Sequence, residues 1–441
     1  MRIAFLVNDF PRLSETFILN QVTGLIDRGH EVDIYAHQVE GWSKVHPDVN
    51  RYRLWERTYP MQEIPQNYLW RILKGIWLLL RRFHKAPRLI GRSLNVFAYG
   101  EQAIGLWLLY SAMSFLDKRP TYDIIHCQFG TQGYRGLAFK RLLQPTPKLL
   151  VMFRGFDISC YVNQGGDKVY RQLFKDVDYC LANCDFFRQR VIELGCEPER
   201  ISVHFSGLNA NKFTFRPRRL ESGEPTRIAT TGRLVEKKGI EYAIRAVAKQ
   251  VEQFPELTYY IMGDGPLRQS LETLMSELRV ESYIHLLGWQ DESEIIKILD
   301  TCHLFIAPSV TAEDGNQDAP INVLKEAMAM GLPVISTDHG GIPELVEDGV
   351  SGFLAPERDA NALADKLGYL LAHPERWPEM GQAGRALVER HFDLHRLNDE
   401  LVLLYEQLLE KDGNSPLELF SQAAEIYPTI PHKKTDLSHI F

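Results

Sequence analysis

The chain has 441 residues, a length that at about 150 residues per domain predicts two or three domains. It is 45% hydrophobic and 24% charged, which is typical of a globular protein and excludes a chain with long disordered stretches. Residues 1–205 carry 27 Lys and Arg against 20 Asp and Glu, whereas residues 206–441 carry 23 against 37. This asymmetry predicts two bodies with different neighbours, and neither charge is large enough to predict nucleic-acid binding.

The cysteines and the N-terminus predict a cytoplasmic protein. Six cysteines are scattered along the chain, and a long chain of this kind fits a reducing compartment. Cys180 and Cys184 have the spacing of half a zinc site, but no second pair follows, so buried free thiols are the alternative. Only five apolar residues follow Arg2, which is too short for a signal peptide. No stretch of 18 residues is free of charge, so no helix is expected to cross a membrane.

The first half of the chain has the pattern of a βαβ fold. An apolar strand over 2–8 precedes an amphipathic helix over 16–28, and a second strand covers 31–36. Similar apolar runs predict further strands at 123–126, 148–153, 179–182 and 201–204. Because helical stretches separate these strands, we expect a parallel sheet that is covered on both faces.

The pattern restarts after an aperiodic stretch at 206–224. Short apolar strands are predicted at 227–231, 258–262, 283–287, 304–307 and 333–336. We therefore predict an α/β protein of two doubly wound, Rossmann-like domains facing a cleft, where ligands are expected outside the carboxyl ends of the strands. The predicted division is an N-terminal Rossmann-like domain (1–205), a C-terminal Rossmann-like domain (206–395), a C-terminal helix (396–411) and a loosely packed tail (412–441). One option is that the C-terminal helix crosses back to the N-terminal domain and packs against it.

Residues 66–100 form a basic stretch without Asp or Glu. They contain seven cations, Arg71, Lys74, Arg81, Arg82, Lys85, Arg88 and Arg92. Trp70 and Trp77 stand among them with several aliphatic residues, and a basic amphipathic helix with Trp is typical of contact with an anionic membrane surface. The alternative is a helix that packs on the sheet and exposes a solvated cationic face.

Two glycine-containing turns follow predicted strands of the second half. Arg233 lies at the end of one strand, and Lys238 precedes a glycine just before a helix. Two cations at a strand-to-helix turn can hold a diphosphate, although a solvated loop is the alternative. The second turn begins at Gly263 and resembles part of a dinucleotide fingerprint, with a tight turn as the alternative to phosphate binding.

A third motif spans residues 318–331. Pro320 suits the first turn of a helix, which places Asp318 at the cap and Glu326 about two turns inside. A carboxylate inside the cleft can accept hydrogen bonds from two sugar hydroxyls. Backbone N–H groups at the start of this helix would face an anion, and these belong to Ile321, Asn322, Val323 and Leu324.

Several motifs in a fixed order give these turns a family resemblance. Residues 206–395 contain, in order, GRLVEKKG, GDGPL, LGW, D-x7-E-AMAMG-LPVIS, GGIPELV and G-x-SGFL. This half resembles the donor-binding half of family 4 retaining glycosyltransferases of GT-B fold. The segments PRLSETFI (11–18) and FRGFDI (153–158) resemble a branch active in exopolysaccharide synthesis of the colanic-acid type.

The resemblance implies an enzyme that moves a hexose from a nucleotide diphosphate sugar, UDP- or GDP-linked, to a saccharide or lipid-linked acceptor. It implies retention of the anomeric configuration, no metal and no further cofactor. Residues 1–205 would be the acceptor-side domain and residues 206–395 the donor-binding domain of such an enzyme. It would act in the cytoplasm, and the composition of 66–100 allows peripheral contact with the inner face of an anionic membrane as one of two alternatives. A D-x-D sequence at Asp176 and Asp178 is like that of metal-dependent glycosyltransferases, but it precedes a strand, so we interpret it as structural.

The resemblance also assigns roles to residues. Arg233 and Lys238 would bind the donor diphosphate, with Gly263 in the adjoining turn, and Glu326 would bind the ribose hydroxyls. Asp318 stands where the family has Glu and would contact the donor sugar. The backbone near Leu287 and Trp289 would meet the nucleobase. Arg154 stands where the family commonly has His, and a positioning or charge-stabilising role is expected. Ser14, Glu15 and Thr16 occupy the first loop, where their amides would approach phosphate.

Three other classes remain open from the sequence. Asp318 and Arg154, which depart from the family pattern, allow a non-catalytic nucleotide-sugar binder. A nicotinamide-dependent enzyme would use the same sheets, although no complete G-x-G-x-x-G is present. A sugar epimerase or phosphorylase would share the cleft.

Overall fold

The computed structural model describes residues 1–12, 15–39, 45–116, 121–318 and 321–410. Within them, thirteen strands form two parallel sheets. The first sheet has the order β3-β2-β1-β4-β5-β6-β7 and the second the order β10-β9-β8-β11-β12-β13. The strands of the first sheet are β1 (Arg2–Phe10), β2 (Glu31–Val39), β3 (Thr58–Pro60), β4 (Ile124–Cys127), β5 (Lys148–Phe153), β6 (Tyr179–Ala182) and β7 (Ile201–Val203). Those of the second are β8 (Thr226–Thr231), β9 (Leu257–Met262), β10 (Ile284–Gly288), β11 (Leu304–Ala307), β12 (Val334–Thr337) and β13 (Gly352–Ala355).

Helices connect the strands and cover the faces of both sheets. Those of the first half are α1 (Thr16–Asp27), α2 (Pro47–Arg51), α3 (Tyr68–Arg82), α4 (Pro87–Ser93), α5 (Val96–Tyr99), α6 (Glu101–Ile104), α7 (Trp107–Met113), α8 (Gly133–Leu142), α9 (Cys160–Gly165), α10 (Arg171–Asp176) and α11 (Asp185–Glu193). Those of the second half are α12 (Ile240–Ala248), α13 (Arg268–Leu278), α14 (Glu292–Thr301), α15 (Asn322–Ala329), α16 (Ala360–Ala372), α17 (Trp377–His391) and α18 (Leu394–Glu410). The prediction of two doubly wound α/β domains is confirmed.

The strands are apolar because both faces of each sheet are buried. All four side chains of β11 and six of the nine in β1 are buried, as in parallel sheets covered by helices on both sides. All six cysteines are buried free thiols. Asp176 and Asp178 form ion pairs with Arg141 and Lys140.

The C-terminal helix packs on the first body. Leu401, Leu404 and Tyr405 of α18 join the apolar cluster around β1 and β2, and the Tyr405 hydroxyl lies 2.6 Å from Nδ1 of His126 in β4. An ion pair of 2.6 Å joins Arg28 to Asp399. The predicted tail at 412–441 lies outside the described residues.

The chain therefore crosses between the two bodies twice, and the two crossings lie side by side. The N–H of Leu208 donates to the Phe392 carbonyl at 2.8 Å, and the N–H of Leu394 donates to the Leu208 carbonyl at 3.1 Å. There is no room for a side chain at Gly207, because an added Cβ would lie 2.8 Å from the Cα of Leu394. The two crossing segments thus form one paired connection.

The loops at the carboxyl ends of the two sheets meet across the cleft. The carboxylate of Glu344, in the loop after β12, accepts hydrogen bonds from the N–H groups of Asp185 and Phe186 at the start of α11, at 2.8 and 2.9 Å. The N–H of Gln317, in the loop after β11, lies 3.4 Å from the hydroxyl of Ser159, in the loop after β5. Residues that follow strands of both sheets are thereby gathered at one place.

Candidate active site

Two lysines from one turn hold one buried aspartate. After β8, a single helical turn over Glu236–Lys238 directs both Lys237 and Lys238 towards the loop after β11. Their ammonium groups lie 2.9 and 2.7 Å from the carboxylate oxygens of Asp318, and the Ser309 hydroxyl donates to the same carboxylate at 3.0 Å. Burial raises the pKa of Asp318, but the two ammonium groups outweigh it and hold the pKa well below its usual value. Asp318 is therefore ionised at neutral pH.

A histidine and a glutamate fix the backbone of Asp318. The Asp318 N–H donates to Nε2 of His339 at 2.9 Å, so that nitrogen is unprotonated and Nδ1 carries the hydrogen. Nδ1 of His339 lies 2.6 Å from the carboxylate of Glu357, which also accepts from the N–H of Thr311 at 2.6 Å. Loops after β11, β12 and β13 are thereby joined into one support for the two lysines.

The prediction that Asp318 caps a helix is wrong. The helix α15 begins at Asn322 with Ile321 as its N-cap residue, so Asp318 lies before the helix and its carboxylate is taken by the lysines. Pro320 lies outside the described residues. The backbone of Ile321, Asn322, Val323 and Leu324 forms the first turn of α15, and Glu326 follows just over one turn inside.

Glu326 and Lys325 are adjacent titratable groups of α15. Burial, with Glu292 adding to it, raises the pKa of Glu326 to about 7. Burial lowers the pKa of Lys325 to about 7, although Glu326 acts in the opposite direction. The Lys325 ammonium donates to the carbonyl of Ser206 at 2.8 Å and lies 4.7 Å from the centre of the Phe392 ring. Lys325 thus ties α15 to the paired connection.

Arg154 lies on the other side of the same connection, and its guanidinium is buried and hydrogen-bonded to several protein groups. It donates to the Gln128 carbonyl and side chain at 3.2 and 2.7 Å and to the Ser206 hydroxyl at 3.0 Å. A weaker contact of 3.4 Å reaches Gln21, and the guanidinium lies 4.2 Å from the centre of the Phe17 ring. Burial lowers its pKa to about 9, so it remains charged at neutral pH. These contacts favour the positioning role.

The first loop lies partly outside the described residues, which exclude Ser14. Glu15 is the residue before α1, and its carboxylate lies 3.5 Å from the guanidinium of Arg12. Burial raises the pKa of Glu15. Thr16 is the first residue of α1, so its backbone N–H lies at the helix N-terminus.

The remaining predicted positions line the carboxyl edge of the second sheet. The N–H of Gly263 donates to the carbonyl of Gly288 at 2.8 Å, which places the turn after β9 against the end of β10. Leu287 is half-buried there, and Trp289 is exposed. Arg233 is also exposed, and within the described residues it has no ion-pair partner.

Gly263→Ala is expected to lower Tm by more than about 4 °C. Gly263 has φ +152, and an added Cβ would lie 1.8 Å from the carbonyl oxygen of Gly232, so the backbone around the predicted diphosphate site must shift. Gly349→Ala is the matched control, since Gly349 has φ +78 with open space around the added atom. Equal Tm values for the two variants would contradict the steric argument.

The comparisons with known proteins agree with this geometry. Residues 14–212 match the family model "Glycosyltransferase Family 4" and residues 211–387 match "Glycosyl transferases group 1". WcaL of Salmonella typhimurium, a glycosyltransferase named for colanic acid biosynthesis, is 34% identical over 411 residues, which cover 92% of this chain and 100% of WcaL. The chain belongs to the glycosyltransferase family that includes WcaL.

Two further likenesses extend over the same range. The amylovoran biosynthesis glycosyltransferase AmsK of Erwinia amylovora is 34% identical over 411 residues, covering 92% of this glycosyltransferase and 100% of AmsK. The solved structure of Anabaena HepE in complex with UDP and glucose superposes with a TM-score of 0.66 at 18% identity, covering 92% of this chain and 100% of HepE. The likeness confirms the predicted GT-B fold.

Four residues that surround Lys238 and Asp318 in the glycosyltransferase's site were not predicted from the sequence. These are Lys237, Ser309, His339 and Glu357. The adjacent lysines in GRLVEKKG were a usable signal for Lys237, and His339 directly precedes the glycine pair of the GGIPELV motif. Ser309 and Glu357 lie in loops without a motif of their own.

Across the described residues, the structure contains no helix long and apolar enough to cross a membrane.

Glu326→Gln is expected to stabilise the glycosyltransferase more at pH 8 than at pH 5.5. A pKa raised to about 7 in the folded state means that Glu326 favours folding below its ordinary pKa of 4.5 and loses this contribution as the pH rises through 7. Glutamine does not titrate, so the Tm difference between variant and wild type should grow by about 2–4 °C between the two pH values. Exposed Glu277, replaced in the same way, is the control. A difference independent of pH would contradict the raised pKa.

Proposed function

We propose that this glycosyltransferase moves a hexose from a UDP- or GDP-linked donor to a saccharide or lipid-linked acceptor, with retention of configuration and without a metal. The observation that carries the proposal is the gathering of Arg233, Lys237 and Lys238 in the turn after β8, where both lysines contact Asp318 of the loop after β11. These cations and the N-terminus of α15 would stabilise a departing nucleoside diphosphate.

We propose for these residues the roles that the family resemblance implies. Arg233 and Lys238 would contact the diphosphate, and Glu326 would accept hydrogen bonds from the ribose hydroxyls. Asp318 would contact the donor sugar while keeping both lysines in place. Gly263, Leu287 and Trp289 would line the nucleotide side, with the Thr16 amide approaching phosphate from the first body.

The proposed reaction needs no covalent nucleophile from the protein. The bond between the anomeric carbon and the diphosphate oxygen breaks, and the acceptor oxygen forms the new bond on the same face. The proton of the acceptor hydroxyl passes to a phosphate oxygen of the leaving group. The protein's part is to orient the two substrates and to stabilise the negative charge that develops on the diphosphate.

The names of the relatives support the biological assignment. WcaL and AmsK are named for colanic acid and amylovoran biosynthesis, and both are covered over their whole length. We propose that this enzyme likewise builds an exopolysaccharide in the cytoplasm. Contact of residues 66–100 with the inner face of an anionic membrane is part of this proposal.

A thermal-shift screen of nucleotide diphosphates and their sugars in EDTA tests the proposal. One base should raise Tm, Glu326→Ala should abolish the shift, and Glu277→Ala should preserve it. Transfer of the sugar to a saccharide acceptor, in EDTA and with retained configuration, would complete the test. Tight nucleotide binding without transfer across a panel of acceptors would instead identify a non-catalytic binder.

A further inference from the structure

One face of α3 is apolar and points away from the protein. Leu69, Leu73, Ile76 and Leu80 follow one another at spacings of four, three and four residues, so they form a single line along the helix. We call these four residues the outer stripe. Their exposed fractions are 67, 50, 50 and 82%. Trp70 and Trp77 are also more than half exposed beside it.

The opposite face of α3 is fixed to α7, so the outer stripe cannot turn inward. Leu78 is buried in a small apolar cluster with Leu109 and Tyr110. An added Cβ at Gly75 would lie 2.8 Å from the Leu106 side chain, and the Tyr110 hydroxyl donates to the Arg71 carbonyl at 2.8 Å. The outer stripe is therefore not covered by the sheet. The alternative interpretation of residues 66–100, a helix that packs on the sheet, required it to be covered.

The charges of the chain segment that carries the outer stripe all have one sign. Residues 66–100 contain seven Lys and Arg and no Asp or Glu. Lys74 and Arg81 lie along one flank of the stripe, and the Arg81 guanidinium is 5.1 Å from the centre of the Trp77 ring. Long cationic side chains on the flank of an apolar face can reach lipid headgroups while their stems stay in apolar surroundings.

We propose that the outer stripe inserts into the headgroup region of an anionic bilayer and that Lys74 and Arg81 pair with its phosphates. This deepens the membrane contact in the proposed function and rests on it. The charge selects the occupant, because a second copy docked on this face would bring cations against cations. An anionic bilayer supplies both the apolar depth and the opposite charge.

Vesicle flotation with the full chain tests this assignment. The probes are phosphatidylcholine vesicles with and without a third of phosphatidylglycerol. The variant Leu73→Glu/Ile76→Glu/Leu80→Glu should lower the bound fraction at least about tenfold. The control Val350→Glu/Leu403→Glu/Leu409→Glu adds the same charge at exposed apolar positions of the second body and α18, and should bind like the wild type. Lys74→Glu/Arg81→Glu should abolish the preference for anionic vesicles.

The outcomes separate this inference from the proposed function. Wild-type protein that does not float with anionic vesicles would overturn the membrane contact altogether. Wild-type flotation that the stripe variant retains would overturn only the assignment to α3. A dimer that becomes monomeric in the stripe variant would assign the stripe to a second copy instead. The nucleotide-induced Tm shift, measured on every variant, reports folding and the transferase site independently.

Discussion

Lys238→Ala and Arg233→Ala are each expected to lower kcat by about 100-fold or more, the size of effect seen when one donor to a developing anion is removed. Both cations belong to the turn after β8, and they lie close enough for Arg233 to lower the pKa of Lys238, although burial is the larger cause. Arg233 is exposed and has no ion-pair partner among the described residues, so its charge is available to the donor.

The controls for these variants show whether the loss of activity depends on the position from which the charge is removed. Lys249→Ala and Arg245→Ala remove the same charges from exposed positions on or beside α12 and should leave kcat unchanged. The double variant Lys238→Ala/Asp318→Asn is compared with Asp318→Asn alone, because Asp318 is itself proposed to contact the donor sugar. A lower kcat in the double variant than in Asp318→Asn would place Lys238 on the donor, and equal kcat values would mean that Lys238 only compensates Asp318. Near-normal kcat in both alanine variants would remove the electrostatic mechanism.

Arg154→Ala is expected to lower the free energy of unfolding by about 3 kcal/mol or more. It leaves buried acceptors on Gln128 and Ser206 without a donor and empties the space over Phe17. Arg154→Lys should restore little of this loss, because one ammonium cannot replace a guanidinium that donates to several groups at once. Urea unfolding of the three proteins measures the effect.

A second measurement distinguishes positioning by Arg154 from direct action on a substrate. Arg171→Ala, at an exposed position of the same body, is the control and should unfold like the wild type. Under the positioning role, kcat of Arg154→Ala should recover at a temperature well below its Tm. Wild-type stability with a lost kcat would contradict that role and place the guanidinium on the substrate.

The sequence predicts every interior strand of this fold and two of the four edge strands, β7 and β10. Residues 304–307 were predicted as a strand and form β11, because a strand buried on both faces is a continuous apolar run. The edge strands β3 and β13 were not predicted. β3 has three residues and ends at Pro60, and β13 begins at Gly352, so neither shows the apolar run of a central strand.

For the candidate site, the sequence predicts positions but not partners. Lys238 and Asp318 were each singled out by the turn that holds them, yet their ion pair joins residues 80 positions apart. Lys237 was missed because neighbouring side chains usually point in different directions. The helical turn over Glu236–Lys238 brings both ammonium groups to one carboxylate, and only the fold shows this.

The paired connection between the bodies determines how the cleft can open. Ser206 accepts a hydrogen bond from Arg154 of the first body through its hydroxyl and one from Lys325 of the second through its carbonyl. Separation at this point would remove one hydrogen-bond acceptor from each of two buried cations, which costs more than separating exposed polar groups. We therefore expect the two bodies to rotate about Ser206 when the cleft opens, with the largest displacement at the contact of Glu344 with α11. Distance labels across that contact would register closure, whereas labels beside Ser206 would stay nearly still.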